Sequence, residues 1–255
     1  MSPKRTKQAL TAQPYGKPPI IEAVMEFRFT EPLSPKLVKR ISRRFKREYD
    51  SLKEDKEVTF QLDVEHSETH VSAESMHYKH ASSDQVDVLV LKPIALTWSR
   101  LAPYDGWDRF IDRVEREYLI ASDVMGVRRI ARIGLRYVNR IDVPQHEAES
   151  DALVFRYEDY IAININLPSK LDPLSGYFWR IERPFDDRGF KAMLQSAPMI
   201  PELPEMRSYL LDIDVWAEGE FLKAEELFAK LGKMRDLKNE LFEMSITDLA
   251  RRGFQ

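Results

Sequence analysis

The chain has 255 residues, 43% of them hydrophobic, enough for one or two domains with a core of their own, and a formal charge of −3 that is close to balance. It contains no cysteine, which excludes disulfides, thiolate metal sites and cysteine nucleophiles and is compatible with a reducing compartment. The opening MSPKRTKQALTAQPYGKPP lacks the apolar run of a signal peptide, and no stretch reaches the ~20 apolar residues of a membrane span, so a cytoplasmic protein with no membrane partner is expected.

Residues 1–16 read as a disordered basic tail, because Met1, Leu10 and Tyr15 are its only sizeable apolar side chains and show no period. PPIIEAVMEFRF then alternates Ile21, Ala23, Met25, Phe27 and Phe29 against Glu22, Val24, Glu26 and Arg28, the period of a strand. In SPKLVKRISRRFKREY, Ser34 is placed to cap a helix with Pro35 at its first position, and Leu37, Val38, Ile41, Phe45 and Tyr49 form an apolar stripe. Lys36, Lys39, Arg40, Arg43, Arg44, Lys46 and Arg47 cover the rest. This helix carries much of an uneven charge distribution, since residues 1–50 hold 12 Lys/Arg against 5 Asp/Glu. Arg40, Arg43, Arg44 and Arg47 are candidates for binding phosphates; the other reading of such a face is simple solvation.

Four strands follow, VTFQLDVEH, THVSAESMHY, VDVLVLK and IALTWSR, and then a helix in YDGWDRFIDRVEREYL with Asp105 as its expected cap. The order then restarts. Arg128 to Val143 reads as a long strand with Arg128, Arg132, Arg136 and Arg140 on one face and Ala131, Ile133, Leu135 and Tyr137 on the other. ESDALVFRYEDY reads as a short helix capped by Ser150; GYFWRIERP, GFKAMLQSA and SYLLDIDVWA read as strands, and a long helix closes the chain. The expected fold is α+β, antiparallel sheets with packed helices, in two similar β-α-β(3-4)-α halves, 17–125 and 126–255, packed as one unit. Prolines between Leu167 and Pro204 mark loops and edges there.

KPPIIEAVMEFRF, LAPYDGWDRF, RIGLRYVNRIDVP and LKNELFEMSITDLARRGF, recurring in this order over almost the whole chain, resemble a sporadically distributed family of uncharacterised prokaryotic proteins. The resemblance implies no reaction and no catalytic residues. Its patchy distribution implies an accessory role such as host defence or toxin neutralisation.

The chemistry rests on a few constellations. His66, His70, His77 and His80 fall on a hairpin; with Ser67 and Glu68 as its turn, Val58 faces His77, the histidines diverge, and exposed strand histidines rather than a metal site are expected. Asp212 and Asp214 share a strand face, the arrangement a metal-dependent enzyme acting on a phosphate ester would use, and also the ordinary polar face of a strand. GxxxxGK[ST] and GxSxG are both absent, so a phosphate loop and a nucleophile elbow are excluded. Glu22 and Glu26 repeat at the arginine interval, which predicts that the first strands of the two halves lie side by side and neutralise one another. Two glutamates do not satisfy every arginine, so Arg136, Asn139 and Arg140 are candidates for an acidic or phosphorylated partner. The expected function is therefore a non-enzymatic binding or regulatory protein without cofactor, whose partner is another protein or, through the basic tail and helix, nucleic acid; homo-oligomers are compatible with the sequence.

Overall fold

The computed structural model describes residues 15–63, 68–144, 157–165 and 176–255, the side chains of 56–75 excepted. The elements are β1 (Ile20–Phe29), α1 (Pro35–Phe45), β2 (Ser51–Asp63), β3 (Glu68–Ala81), β4 (Asp87–Leu91), β5 (Ala95–Leu101), α2 (Trp107–Met125) and β6 (Ile130–Pro144). After a 3-10 turn at Tyr157–Asp159 come β7 (Trp179–Phe185), β8 (Phe190–Met199), β9 (Met206–Phe221), α3 (Ala224–Ser245) and α4 (Asp248–Arg252). The strands form one antiparallel sheet in the order β2-β3-β4-β5-β1-β6-β9-β8-β7. β1 pairs with β5 and β6 with β9, so the first strand of each half lies against its last, and the halves join where β1 meets β6. This is the expected α+β architecture of an antiparallel sheet and packed helices.

One row of side chains across the sheet shows how the sequence divides its faces. His80, Leu89, Trp98, Met25, Leu135, Val215 and Ala192 stand successively opposite one another on seven strands, and each is 0% exposed. Each belongs to the apolar phase of an alternating strand, and burying that phase drives the helices onto one side. The halves share one core. Phe27 of β1 makes edge contacts with Trp98 of β5, Tyr118 of α2 and Phe228 of α3.

α1 forms as its sequence dictates. Ser34 Oγ accepts from Leu37 N, and Val38, Ile41 and Phe45 are buried. α2 is capped differently from expectation: Gly106, at φ 107°, occupies the cap position, which glycine tolerates and aspartate does not, and Asp105 instead pairs with Arg100 and Arg109. Glu117 of α2 is buried and accepts from Tyr49 Oη at 2.7 Å and Trp98 Nε1 at 3.0 Å, a hub between the turn after α1, α2 and the sheet.

Several local expectations are corrected. The β2–β3 hairpin pairs Asp63 with Glu68 and Asp55 with His77, so the connection is 64–67 and not a tight turn at Ser67–Glu68. His66 and the side chain of His70 lie outside the described residues. In the pairing with β1, a register shift between Ile130 and Arg132 makes Ala131 the extra residue, which turns Ile130 into the core and leaves Arg128 off the ladder, its Nε donating to Met125 O at 3.0 Å. Most of the helix expected from Ser150 lies outside the described residues. Residues 1–14 of the expected tail lie outside them too, but Tyr15 belongs to the folded body: its ring packs edge-on to Phe242 and Phe254, and its hydroxyl donates to Glu243 Oε1 at 2.8 Å. Among the described residues, two of the prolines read as edge signals behave so. Pro184 lies on the outermost strand, and Pro198 lies on β8 beyond Ser196, where pairing with β7 ends.

His80 is buried, against the expectation of an exposed strand histidine. Its Nε2 lies 3.0 Å from Ser42 Oγ and its Nδ1 has no partner. Burial, with Lys46 nearby, holds its pKa down to about 4. Because the unfolded chain takes up this proton first, the histidine's contribution is complete above the ordinary pKa near 6.5 and falls as pH drops toward 4. From pH 7 to pH 5 the loss is expected to reach about 2 kcal/mol. Urea unfolding of the protein and of His80→Gln checks this; parallel pH profiles would show that the imidazole is not the group responsible.

Candidate functional site

The arginine ladder lies on the sheet face opposite the helices, and its neighbours on adjacent strands explain its chemistry. β1 does lie beside β6, but the register sets Glu26 opposite Gly134 and Glu22 opposite Val138, so the glutamates stand between the arginines. Arg132 spans two carboxylates, Glu26 at 3.1 Å and Asp214 at 3.1 Å, with Trp216 beneath its guanidinium. Gly134 makes this possible, since a Cβ there would come within 2.8 Å of Arg132 Nη1. Arg136 donates from Nε and Nη2 to the two oxygens of Asp212, at 2.8 and 2.7 Å, and Gln195 Nε2 adds a third donor at 2.7 Å. Arg140 pairs with Asp142 and Glu202. Burial raises the Asp214 carboxyl above its usual range, while Arg132 and Arg136 oppose that shift.

Of the five carboxylates that complete the ladder, Asp212 and Asp214 come from β9 and only Glu26 from β1. Asp212 and Asp214, candidates for metal chemistry by their spacing, are occupied by guanidinium groups, and no group of three metal-ligating side chains occurs among the described residues. A groove of about 570 Å³ runs over this network, with Arg28, Arg180, Glu182 and Glu218 among its walls. Charges of both signs alternate along it.

Asn139 does not stand with Arg136 and Arg140. It is buried on the helix face, its Nδ2 donating to Leu211 O at 2.9 Å and Tyr137 O at 3.3 Å. There it lines a cavity of about 280 Å³ to which four remote stretches contribute: Pro18 to Ile20, Tyr104 and Trp107, Tyr137 and Asn139, and α3 from Arg235 to Glu243. Lys238, missed as a site residue, had a visible signal: with Met234, Leu237 and Leu241 it occupies the apolar stripe of α3, where a charge is out of place.

The remaining candidates are on α1 and the turn that follows it. Lys36, Lys39, Arg40, Arg43, Arg44, Lys46 and Arg47 are all exposed. Between Lys36 and Arg47 the sequence holds no acidic residue, and among the described residues none of these cations has an ion-pair partner. Arg40 is partly committed, its Nη2 donating to Val124 O at the end of α2. Among the described residues no helix is long and apolar enough to cross a membrane. No family model matches the sequence, and no curated protein matches it.

Proposed function

We propose that the protein is a non-enzymatic accessory that works by binding, and that α1 docks it on the phosphate backbone of a nucleic acid. The observation that carries this reading is the run from Lys36 to Arg47 along α1 and the turn after it, seven exposed cations beside a buried apolar stripe with no acidic residue among them before Glu48. The arginines of the ladder, by contrast, are neutralised within the fold. Arg43, Arg44 and Arg47 offer planar forks suited to phosphate oxygens, the first two on the last turn of α1 and the third just beyond its cap residue Lys46. A net negative protein with one basic face approaches a polyanion in a fixed orientation.

Fluorescence anisotropy with labelled duplex DNA, single-stranded DNA and RNA, each over a series of salt concentrations, tests the reading. Three to four phosphate contacts give a slope of about −3 in log affinity against log salt. The combined change Arg43→Glu, Arg44→Glu, Arg47→Glu is expected to weaken binding at least tenfold and flatten that slope; unchanged affinity would remove α1 from the function. A second reading, a protein partner, is favoured by the mixed-charge groove of the open sheet face, where Arg136 stays 45% exposed. Loss of a co-purifying protein with Arg180→Glu and Glu182→Arg, leaving nucleic-acid binding intact, would support it.

A further inference from the structure

The cavity behind β6 has an imbalance of charge that the fold does not resolve. Lys238 is only 8% exposed, yet among the described residues it has no ion-pair partner and no hydrogen bond; its Nζ lies 4.0 Å from the centre of the Tyr137 ring. Arg235, one turn earlier on α3, lines the same cavity, lies over the Trp107 ring at 5.4 Å and also lacks an ion pair among the described residues. Glu243 is the one acid among the lining residues. Both its oxygens are taken, Oε1 by Tyr15 at 2.8 Å and Oε2 by Arg251 Nε at 3.0 Å, so its charge already belongs to Arg251. Two cations therefore face the cavity with no carboxylate of their own.

A buried ammonium without a counter-charge is costly, and a methionine or leucine at this position would pack the apolar stripe better. Packing alone gives no reason for the lysine. The walls add a second constraint, because Tyr104, Trp107, Tyr137 and Phe242 present rings and Pro18 and Pro19 present apolar edges. An inorganic anion would satisfy the cations and leave those walls against water. An apolar molecule would do the reverse.

We propose that this cavity is a binding site for a small organic acid, its carboxylate held between Lys238 and Arg235 and its flat apolar body lying among the rings. Lys238 supplies a point charge and Arg235 a planar pair of donors, a division of labour suited to fixing one carboxylate in one orientation. Asn139 is held in the wall by its bonds to Tyr137 O and Leu211 O, which ties the site to the β6–β9 pairing. This site stands independently of the role proposed for α1.

The test is calorimetric titration and thermal shift with benzoate and indole-3-acetate, with benzamide as the neutral counterpart of benzoate and inorganic phosphate as the anion without a ring. At least one of the two acids is expected to bind saturably and raise the melting temperature, with benzamide and phosphate silent at the same concentrations. Lys238→Met should abolish the response and Arg235→Gln weaken it at least tenfold, while Lys233→Met on the exposed side of α3 leaves it unchanged. Arg235 is only half-buried, so its variant tests the site without repacking the apolar stripe of α3. The proposal is overturned by no saturable response to either acid, by equal binding of benzamide, by binding of phosphate alone, or by an undiminished response in Lys238→Met.

Discussion

Arg136→Ala is expected to destabilise the protein by about 3–5 kcal/mol, far more than an arginine that is nearly half exposed ordinarily contributes. The cause lies in its partner. Asp212 is 0% exposed and receives two of its three donors from Arg136, so the truncation leaves a buried carboxylate with Gln195 alone. Removing Glu26 is the contrasting case: Arg132 keeps Asp214, Glu26 is partly exposed, and the expected loss is about 1 kcal/mol or less. Guanidinium chloride unfolding of the single variants and of Arg136→Ala with Asp212→Asn forms the check. The double variant should recover a substantial part of the Arg136→Ala loss, because the stranded charge is gone. If Arg136→Ala and Glu26→Ala cost the same, the β9 carboxylates are not what holds the ladder.

Lys238→Met is expected to act in the opposite direction, stabilising the protein by about 2–4 kcal/mol at pH 7. Burial, reinforced by Arg235 and only partly opposed by Glu243, pushes the Lys238 ammonium down from its ordinary 10.5 to about 7. Between those two pH values the unfolded chain holds a proton that the folded chain has released, so the folded protein gains stability as pH rises. The gain approaches about 1.4 kcal/mol per pH unit, or about 2 kcal/mol between pH 7 and pH 9. The methionine variant lacks that slope, so its advantage should shrink across this range. Denaturant unfolding of both proteins at pH 7, 8 and 9 decides the matter, and a constant difference would mean that the amine is not held without a counter-charge. A residue whose removal stabilises the fold is being kept for something other than stability, which is the trade expected at a binding site.

Strand alternation was legible because it is local. The phase that buries Ala23, Met25 and Phe27, and the one that buries Ile133, Leu135 and Tyr137, can each be read within a dozen residues, and each fixes a face before any partner is known. The same holds for α1, whose cap, proline and apolar stripe lie within one short window. The adjacency of β1 and β6 was also accessible, through charges of opposite sign at the same interval on the two strands that open the halves. The lone Gly134 between arginines was a further readable sign, since glycine inside a strand marks a close approach.

What tertiary structure alone decided is which side chains meet. Asp212 and Arg136 are 76 residues apart, and their pairing depends on the register of β6 against β9, which no window of sequence contains. Relative to β1, the extra residue at Ala131 shifts the strand's phase by one, enough to remove Arg128 from the ladder, and a bulge leaves no signature in a period-two pattern. The cavity is the fullest case. Lys238 is visible in the sequence as a charge on an apolar stripe, but its lack of a carboxylate follows only from how Arg251 and Tyr15 occupy Glu243. Sequence determined the faces, because periodicity is a property of neighbours along the chain; charge balance was decided in three dimensions, because a buried ion is stabilised or stranded by groups that only folding brings within a few ångströms.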